Sequence, residues 1–441
     1  MDSLVRIFTT LVRRYLPDPL VFAMLLTIIV FVMGVTLTNT TSIELISIWG
    51  NGFWNLLAFT MQMVMVVVTG HALASAPQIR KFLIKLASIP KTPAQGVALV
   101  TLIGAIACII NWGFGLIVGA MLAREVARQQ PKSDYPLLIA SAYIAFLTWH
   151  GGFSGSIPLL AATAGNPLEK TIGLIPISQT IFTPMNYFIT GSLLIILPIL
   201  TAKMLPKEAE RKMINPKLLD IADSTINQNK IEQNSTPAIR IEESKTLSII
   251  IAIVGVIYLI EYFYSKGFKI DINCVNIIFL ISGLLLHGSP MAYARAIANG
   301  TKSTTGILIQ FPFYASIQAM LDHSGLGAII TEWFIQVANV KTFPLWAFLS
   351  SAVINFAVPS GGGHWVVQGP FIMSAAQKLG ADMGHAVMAI AYGEAWMNMA
   401  QPFWALPALA IAGLGARDIM GYCIISLLFS GFIFIAGLMF F

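Results

Sequence analysis

Charged side chains are scarce in this chain of 441 residues. Only 10% of the residues are Asp, Glu, Lys or Arg, whereas 56% are hydrophobic, and the mean hydropathy is +0.78. Because a soluble domain carries about 25% charged residues, this composition predicts an all-α polytopic membrane protein. The net charge of +6 does not require a nucleic-acid partner, since the cytoplasmic loops of membrane proteins are rich in Lys and Arg.

Cysteine and catalytic motifs are equally sparse. The three cysteines, Cys108, Cys274 and Cys423, lie far apart inside apolar runs, which argues against a disulfide framework or a zinc site. The chain has no His-Glu-x-x-His motif and no Gly-x-Ser-x-Gly motif. We therefore expect no cofactor, no nucleic-acid partner and no enzymatic activity. An intramembrane enzyme remains a rival hypothesis, which activity of the purified protein on a peptide or lipid would support.

Four interruptions divide the apolar runs, at residues 111–115, 150–156, 359–365 and 398–402. The third contains three consecutive glycines, which should end a helix. Lipid cannot hydrogen-bond to the backbone exposed at such breaks, so they must be buried in protein or line a cavity. Runs 97–122 and 349–376 have arms shorter than the roughly 20 residues of a full crossing, so we predict re-entrant hairpins there. Runs 135–164 and 387–413 are predicted to be broken spanning helices.

The remaining segments follow from hydropathy and charge. Residues 1–18 form a short basic lead-in, and residues 38–52, which lack Lys and Arg, are predicted to be an outward-facing loop. The apolar spacing after residue 79 predicts a helix lying on the membrane surface, and residues 332–343 resemble a second surface segment.

The two halves of the chain resemble each other weakly. Ala142-Tyr143 corresponds to Ala391-Tyr392, and Asn111 corresponds to Asn355, each after an isoleucine. The distribution of Lys and Arg gives the halves opposite orientations. We predict two inverted repeats, residues 1–205 and 247–441, each with one hairpin and one broken helix, joined by a cytoplasmic linker at 206–246. This arrangement is typical of secondary transporters, whose binding site lies between the repeats near the bilayer midplane.

The breaks are the predicted substrate site. Half-helix N-termini present free N–H groups and positive dipole ends, glycine allows close approach of the backbone, and serine donates a hydroxyl proton. No Lys or Arg lies in the breaks, so a neutral site built on dipoles fits an anion better than an ion pair does. The predicted substrate-binding residues are Asn111, Gly113, Gly152, Ser154, Ser156, Ser360, Gly361, Gly362 and His364.

Glu394 is the most deeply placed ionisable residue of the predicted spans. A carboxyl group inside a membrane is costly, favours its protonated form and is a functional candidate by default. A structural acid bonded to a backbone gap is the alternative interpretation. Side-chain oxygens at the breaks could instead hold Na⁺, and the sequence does not choose between Na⁺ and H⁺. The candidate ion-coupling residues are Glu394, His150, Asn355, Asn398 and Gln401.

Five motifs, spread over the whole chain, carry a resemblance to the bacterial short-chain fatty acid transporter family. They are Leu16-Pro17-Asp18-Pro19-Leu20, Gly50-Asn51-Gly52-Phe53-Trp54-Asn55-Leu56-Leu57, Asn111-Trp112-Gly113-Phe114-Gly115, Gly151-Gly152-Phe153-Ser154-Gly155-Ser156 and Pro359-Ser360-Gly361-Gly362-Gly363-His364-Trp365.

This resemblance implies a carrier in the bacterial plasma (inner) membrane that imports butyrate, acetoacetate and similar small monocarboxylates. It also implies kinship with a superfamily of ion transporters whose members are often homodimers and can use an elevator motion. Cation symport with H⁺ or Na⁺ is the expected energy source. Transport of another small organic anion is the alternative, and a channel, which would pass current without counterflow, is a further rival.

Overall fold

The computed structural model describes residues 19–214, 236–267, 269–401 and 403–441. The predicted lead-in and most of the predicted linker lie outside these ranges. Within them the fold is entirely helical, with no residue in a strand. This is what a membrane requires, because a helix satisfies its backbone hydrogen bonds internally where no water is available.

The first half contains ten α-helices in the described residues, and several breaks are joined by short 3₁₀ turns. They are α1 Pro19–Leu37, α2 Ser42–Gly52, α3 Leu57–Ala74, α4 Pro77–Ala87, α5 Pro93–Ile110, α6 Trp112–Gln129, α7 Tyr135–Ile144, α8 Ser156–Ala162, α9 Glu169–Ile172 and α10 Pro184–Lys203.

The second half contains eleven α-helices in its described part. They are α11 Pro237–Glu242, α12 Lys245–Lys266, α13 Ile272–His287, α14 Pro290–Thr301, α15 Thr305–Ser324, α16 Leu326–Val337, α17 Phe343–Asn355, α18 Gly361–Leu379, α19 Met383–Met397, α20 Leu406–Ala412 and α21 Ala416–Phe440.

Seven helical stretches in the described ranges are long and apolar enough to cross a membrane: α1, α3, α5, α7 with α8, α10, α11 with α12, and α21. In the apolar window of the stretch formed by α7 and α8, 94% of the residues are buried inside the protein. In the windows of α1 and of α11 with α12, only 17% of the residues are buried. The broken helices therefore form the centre of the molecule. Helices α1 and α12 lie at its periphery, with most of their apolar side chains facing outward.

The predicted helical breaks are present, but two differ from the prediction in detail. The break between α5 and α6 is a single extended residue, Asn111, and α5 is long enough to be one of the seven candidate spans. The three glycines at 361–363 do not end a helix; they form the first turn of α18, and Ser360 is its N-cap. Glycine is tolerated there because each position is fully enclosed by side chains.

Both predicted broken helices are discontinuous. A 3₁₀ segment, Ala145–Gly151, follows α7 and is separated from α8 by an irregular turn. Two 3₁₀ segments, Asn398–Ala400 and Phe403–Ala405, separate α19 from α20. These irregular backbones are buried in protein, as a non-helical segment at membrane depth must be.

The prediction of a loop at residues 38–52 is wrong, because α2 occupies most of it. Thr41 and Glu44 form a capping box: Thr41 N–H donates to Glu44 Oε2 at 2.8 Å, and Glu44 N–H donates to Thr41 Oγ1 at 3.3 Å. The Thr41 N–H and the Thr41 hydroxyl both donate to the Glu44 carboxylate and thereby lower its pKa. Helix α14, capped by Ser289, was not predicted, and α16 begins before the predicted surface segment at 332–343.

The same order of elements occurs twice in the described chain. Helices α3 to α10 consist of a long helix, a shorter helix, a pair of helices joined at a narrow break, a broken helix and a second long helix. Helices α15 to α21 repeat this order. The inverted orientation of the two halves stays a prediction.

Candidate functional site

The first hairpin and the first broken helix meet at their breaks. Trp112 N–H, at the start of α6, donates to Ser154 Oγ at 2.8 Å, and Phe153 N–H donates to the Ile109 carbonyl at 2.7 Å. Gly152 is required here, because a Cβ at this position would lie 2.2 Å from the Ile109 carbonyl oxygen. The two breaks are thus joined through backbone groups that lipid could not satisfy.

The two broken helices are joined by a buried pair of ionisable groups. His150 Nε2 lies 3.1 Å from Glu394 Oε2, and both side chains are enclosed in the protein. Gly361 of the second hairpin packs against this pair, since a Cβ there would lie 2.9 Å from His150 Cε1. Elements from both halves of the chain therefore surround one carboxyl and one imidazole.

Amide side chains extend this pair into a buried polar cluster. Asn398 Nδ2 donates to Glu394 Oε1 at 3.2 Å, while Asn398 Oδ1 accepts from Asn355 Nδ2 at 3.1 Å and from Gln401 Nε2 at 2.8 Å. Gln401 Oε1 in turn accepts from Phe403 N–H at 2.8 Å. We define the polar cluster as His150, Glu394, Asn398, Asn355 and Gln401, which are all the predicted ion-coupling residues.

Most oxygens of the polar cluster already accept hydrogen bonds from protein groups. In the described part of the chain, Asn355 Oδ1 has no hydrogen-bond partner, and neither has His150 Nδ1. No group of three or more His, Cys, Asp or Glu side chains in the described ranges is arranged to hold a metal ion. The cluster thus offers one free amide oxygen and one free imidazole nitrogen.

His364 belongs to the second hairpin and does not hydrogen-bond to Glu394. Its Nε2 lies 2.8 Å from Ser351 Oγ and also contacts Gln368 Oε1, while Ser351 Oγ donates to the Ile390 carbonyl at 2.6 Å. These contacts hold the two arms of the hairpin together and fix the hairpin to α19. His364 thus lies beside the polar cluster, and its role in substrate binding stays a prediction.

The remaining predicted substrate residues divide into two groups. Asn111 and Ser360 are the N-caps of α6 and α18, and Ser156 is the buried first residue of α8. Gly113 and Gly362 do not face the polar cluster but pack against α3: a Cβ at Gly113 would lie 3.1 Å from the Val66 carbonyl oxygen, and one at Gly362 would meet Phe59 and Met63.

The structure also reveals site residues that sequence reasoning missed. Tyr143 OH donates to the carbonyls of Asn398 and Gln401 at 2.8 and 3.2 Å, which joins the first broken helix to the break between α19 and α20. Tyr392 OH donates to Asn186 Oδ1, and Asn186 Nδ2 donates to the Gly151 carbonyl at 3.0 Å. Each tyrosine thus supports the interruption of the broken helix in the other half of the chain. The repeated Ala-Tyr pair is the sequence signal that could have identified both tyrosines.

Aromatic rings cover one side of the breaks. The ring of Trp112 lies 5.5 Å from that of Trp149 and 4.9 Å from that of Trp404, both edge-on, and Phe146 stacks on Trp149 at 4.8 Å. Such contacts add modest stabilisation beyond area burial. They give the site an apolar wall beside its polar cluster.

Together these features define a multi-pass α-helical membrane protein in which two helical hairpins and two broken helices converge on a buried polar cluster. The chain belongs to the family described as "Short chain fatty acid transporter", whose profile matches residues 1–441. The predicted family resemblance is thereby confirmed.

Two relatives and one solved structure place the chain more closely. It is 62% identical over 434 residues to a protein of Escherichia coli (strain K12), covering 98% of both chains, and 62% identical over 442 residues to one of Haemophilus influenzae, covering 99% of this chain and 98% of the relative. Both are named as candidate short-chain fatty acid transporters. The YdaH transporter of Alcanivorax borkumensis has a similar fold, with a TM-score of 0.59, 17% identity, and coverage of 96% of this chain and 97% of that one.

Proposed function

We propose that this protein is a secondary active transporter, not an enzyme, that imports short-chain fatty acids such as butyrate and acetoacetate across the bacterial inner membrane. Membership of the family and the names of two relatives at 62% identity support the substrate class. The convergence of broken helices supports a carrier, because such helices form the sites of secondary transporters.

The pair formed by His150 and Glu394 is the observation that supports proton coupling. A buried site favours zero net charge, which the pair reaches when it holds one proton, on either partner. Removing that proton leaves a buried carboxylate with no neutralising charge on His150, and the Asn398 amide supplies only a hydrogen bond to it. We therefore propose H⁺ as the coupling ion. Na⁺ remains the competing candidate, with Asn355 Oδ1 as the free oxygen in the polar cluster.

We further propose two inverted repeats, residues 1–205 and 247–441, separated by a cytoplasmic linker at 206–246. In the proposed elevator-like motion, the hairpins and broken helices of both repeats move together against the remaining helices. The dense contacts among the four breaks support movement of the hairpins and broken helices as one body. Helices α1 and α12 are mostly outward-facing, which leaves them available for lipid and for the second subunit of the proposed homodimer.

Uptake into proteoliposomes tests this function. Labelled butyrate or acetoacetate is offered with an outside-acid pH gradient or an inward Na⁺ gradient, and protein-free liposomes correct for passive permeation. We expect saturable uptake that the pH gradient drives above equilibrium, together with counterflow. Uptake driven by an Na⁺ gradient alone would indicate Na⁺ as the coupling ion, with Asn355 Oδ1 as its candidate ligand. Current without counterflow would indicate a channel.

A further inference from the structure

A small cavity lies beside the first hairpin. Its volume is about 20 Å³. It is lined by α3, by the start of α6, by the connection from α14 to α15, and by the 3₁₀ segment Phe403–Ala405 that precedes α20. The polar residues that line it are His71, Trp112, Ser303 and Trp404, and Gly113 contributes backbone. Except for Trp112 and Gly113, none of these residues was predicted to lie near a site.

Three ring nitrogens around this cavity have no hydrogen-bond partner within the described ranges: His71 Nδ1, Trp112 Nε1 and Trp404 Nε1. Trp112 and Trp404 are only 3% and 6% exposed. A buried polar group without a partner is costly and requires an explanation. An indole N–H can only donate, so Trp112 and Trp404 each lack a hydrogen-bond acceptor, which a molecule in the cavity would supply.

The character of the walls narrows the choice of acceptor. No Asp or Glu is among the described residues that line the cavity. Lys302 directly precedes Ser303 in the chain. Aliphatic side chains on α3 and α6 complete the lining: Val67, Leu116 and Ile117. A lining that combines unpartnered ring nitrogens with aliphatic side chains is complementary to a carboxylate with a short hydrocarbon tail.

We infer that the ring N–H groups of Trp112 and Trp404, with His71 and Ser303, bind the carboxylate of the transported acid. This inference rests on the proposed function. Except for Trp112, which lies in the first break, it assigns the substrate contacts to residues outside the predicted breaks. The cavity now has room for about one water molecule, so the acid enters only when the breaks and α3 move apart. The cavity spans the boundary between these elements, where such movement would open it.

Removing single N–H groups while keeping an aromatic ring is the sharpest test. Trp404→Phe and Trp112→Phe should each raise the KM for butyrate about tenfold, as expected for loss of a hydrogen bond to a charged group, with a maximal rate close to wild type. Trp49→Phe is the matched control, because Trp49 in α2 also has a buried indole nitrogen without a partner but does not line the cavity. It should leave KM unchanged.

A labelling experiment makes the test independent of how well the variants fold. The photoreactive acid 4,4-azipentanoate is irradiated with wild-type protein, and the labelled peptides are identified by mass spectrometry. We expect labels on the segments around residues 67–71, 112–117 or 404, and their loss with excess butyrate but not with excess butyramide, which lacks the negative charge.

The outcomes separate this inference from the proposed function. Saturable butyrate uptake by the wild type with unchanged KM in both tryptophan variants would overturn the carboxylate site and leave the transporter intact. Labels confined to residues 359–365 of the second hairpin would overturn it equally, and would indicate that the cavity holds an internal water alone. Wild-type protein that neither takes up nor binds butyrate would overturn both.

Discussion

Glu394→Gln is the most informative perturbation, because the buried contacts define what the substitution can do. The glutamine carbonyl can accept from Asn398 Nδ2, as Glu394 Oε1 does at 3.2 Å, and its amide can donate to His150 Nε2 in place of the carboxyl contact at 3.1 Å. The variant therefore resembles a permanently protonated Glu394, with the hydrogen bonds of the polar cluster preserved.

The expected magnitude follows from the stoichiometry. One carboxylate and one proton together carry no net charge, so a membrane potential should contribute nothing, although 100 mV is worth about 2.3 kcal/mol for each charge that crosses. A difference of one pH unit is worth about 1.4 kcal/mol, which corresponds to about tenfold accumulation. We expect wild-type protein to approach this ratio and Glu394→Gln to remain near a ratio of about one.

Two assays on the same proteoliposomes separate coupling from folding. Net uptake driven by an outside-acid gradient requires the transporter to return without its proton, and should fail in Glu394→Gln. Exchange of labelled for unlabelled acid does not require this step and should survive. Glu332→Gln is the matched control, since Glu332 lies exposed in α16 and contacts Lys378; it should behave as wild type in both assays.

Two results would refute this reasoning. Accumulation at the wild-type level by a stable Glu394→Gln protein would eliminate the proton role and favour Na⁺ at the breaks. Equal loss of exchange and net uptake, together with a lower unfolding temperature, would show that Glu394 is a structural acid. Glu394→Ala tests this last case further, because it leaves His150 Nε2 and Asn398 Nδ2 without partners at a cost of about 1–3 kcal/mol for each group.

Three further predictions concern the packing of Gly362, the hydrogen bonds of Tyr143 and the membrane topology. Gly362→Val should abolish uptake while membrane insertion persists, because a Cβ at this position would lie 2.7 Å from Phe59 Cζ. Gly191→Val is the control and should transport normally, since a Cβ there would meet nothing within 4 Å. Normal uptake by Gly362→Val would show that this packing is dispensable. Tyr143→Phe removes the hydroxyl that donates to the carbonyls of Asn398 and Gln401. It should lower the free energy of unfolding by about 1–3 kcal/mol, measured by denaturation in detergent, whereas a substitution at an exposed tyrosine should change nothing. Single cysteines at positions 85 and 207 should react with an impermeant maleimide only in inside-out vesicles, and labelling of both from outside intact cells would contradict the inverted-repeat proposal.

The sequence by itself determined the class of protein and the location of its breaks. Composition required membrane-spanning helices, and the clusters of Gly, Asn, Ser and Pro marked where those helices are interrupted, because these signals are local and depend on a few neighbouring residues. The same locality explains two errors. Three glycines predicted the end of a helix, and the capping box of Thr41 and Glu44 was overlooked in a segment assigned as a loop.

Only the tertiary structure decided what the breaks do together. His150 and Glu394 are 244 residues apart in sequence, and no local pattern predicts that they meet. Their contact depends on how two hairpins and two broken helices pack. The same is true of the triple glycine, which remains helical because Ser360 caps it and closely packed side chains from other elements enclose it. The unpartnered indoles of Trp112 and Trp404 become meaningful only once distant helices enclose them in one cavity, where burial removes the water that would otherwise accept their hydrogen bonds.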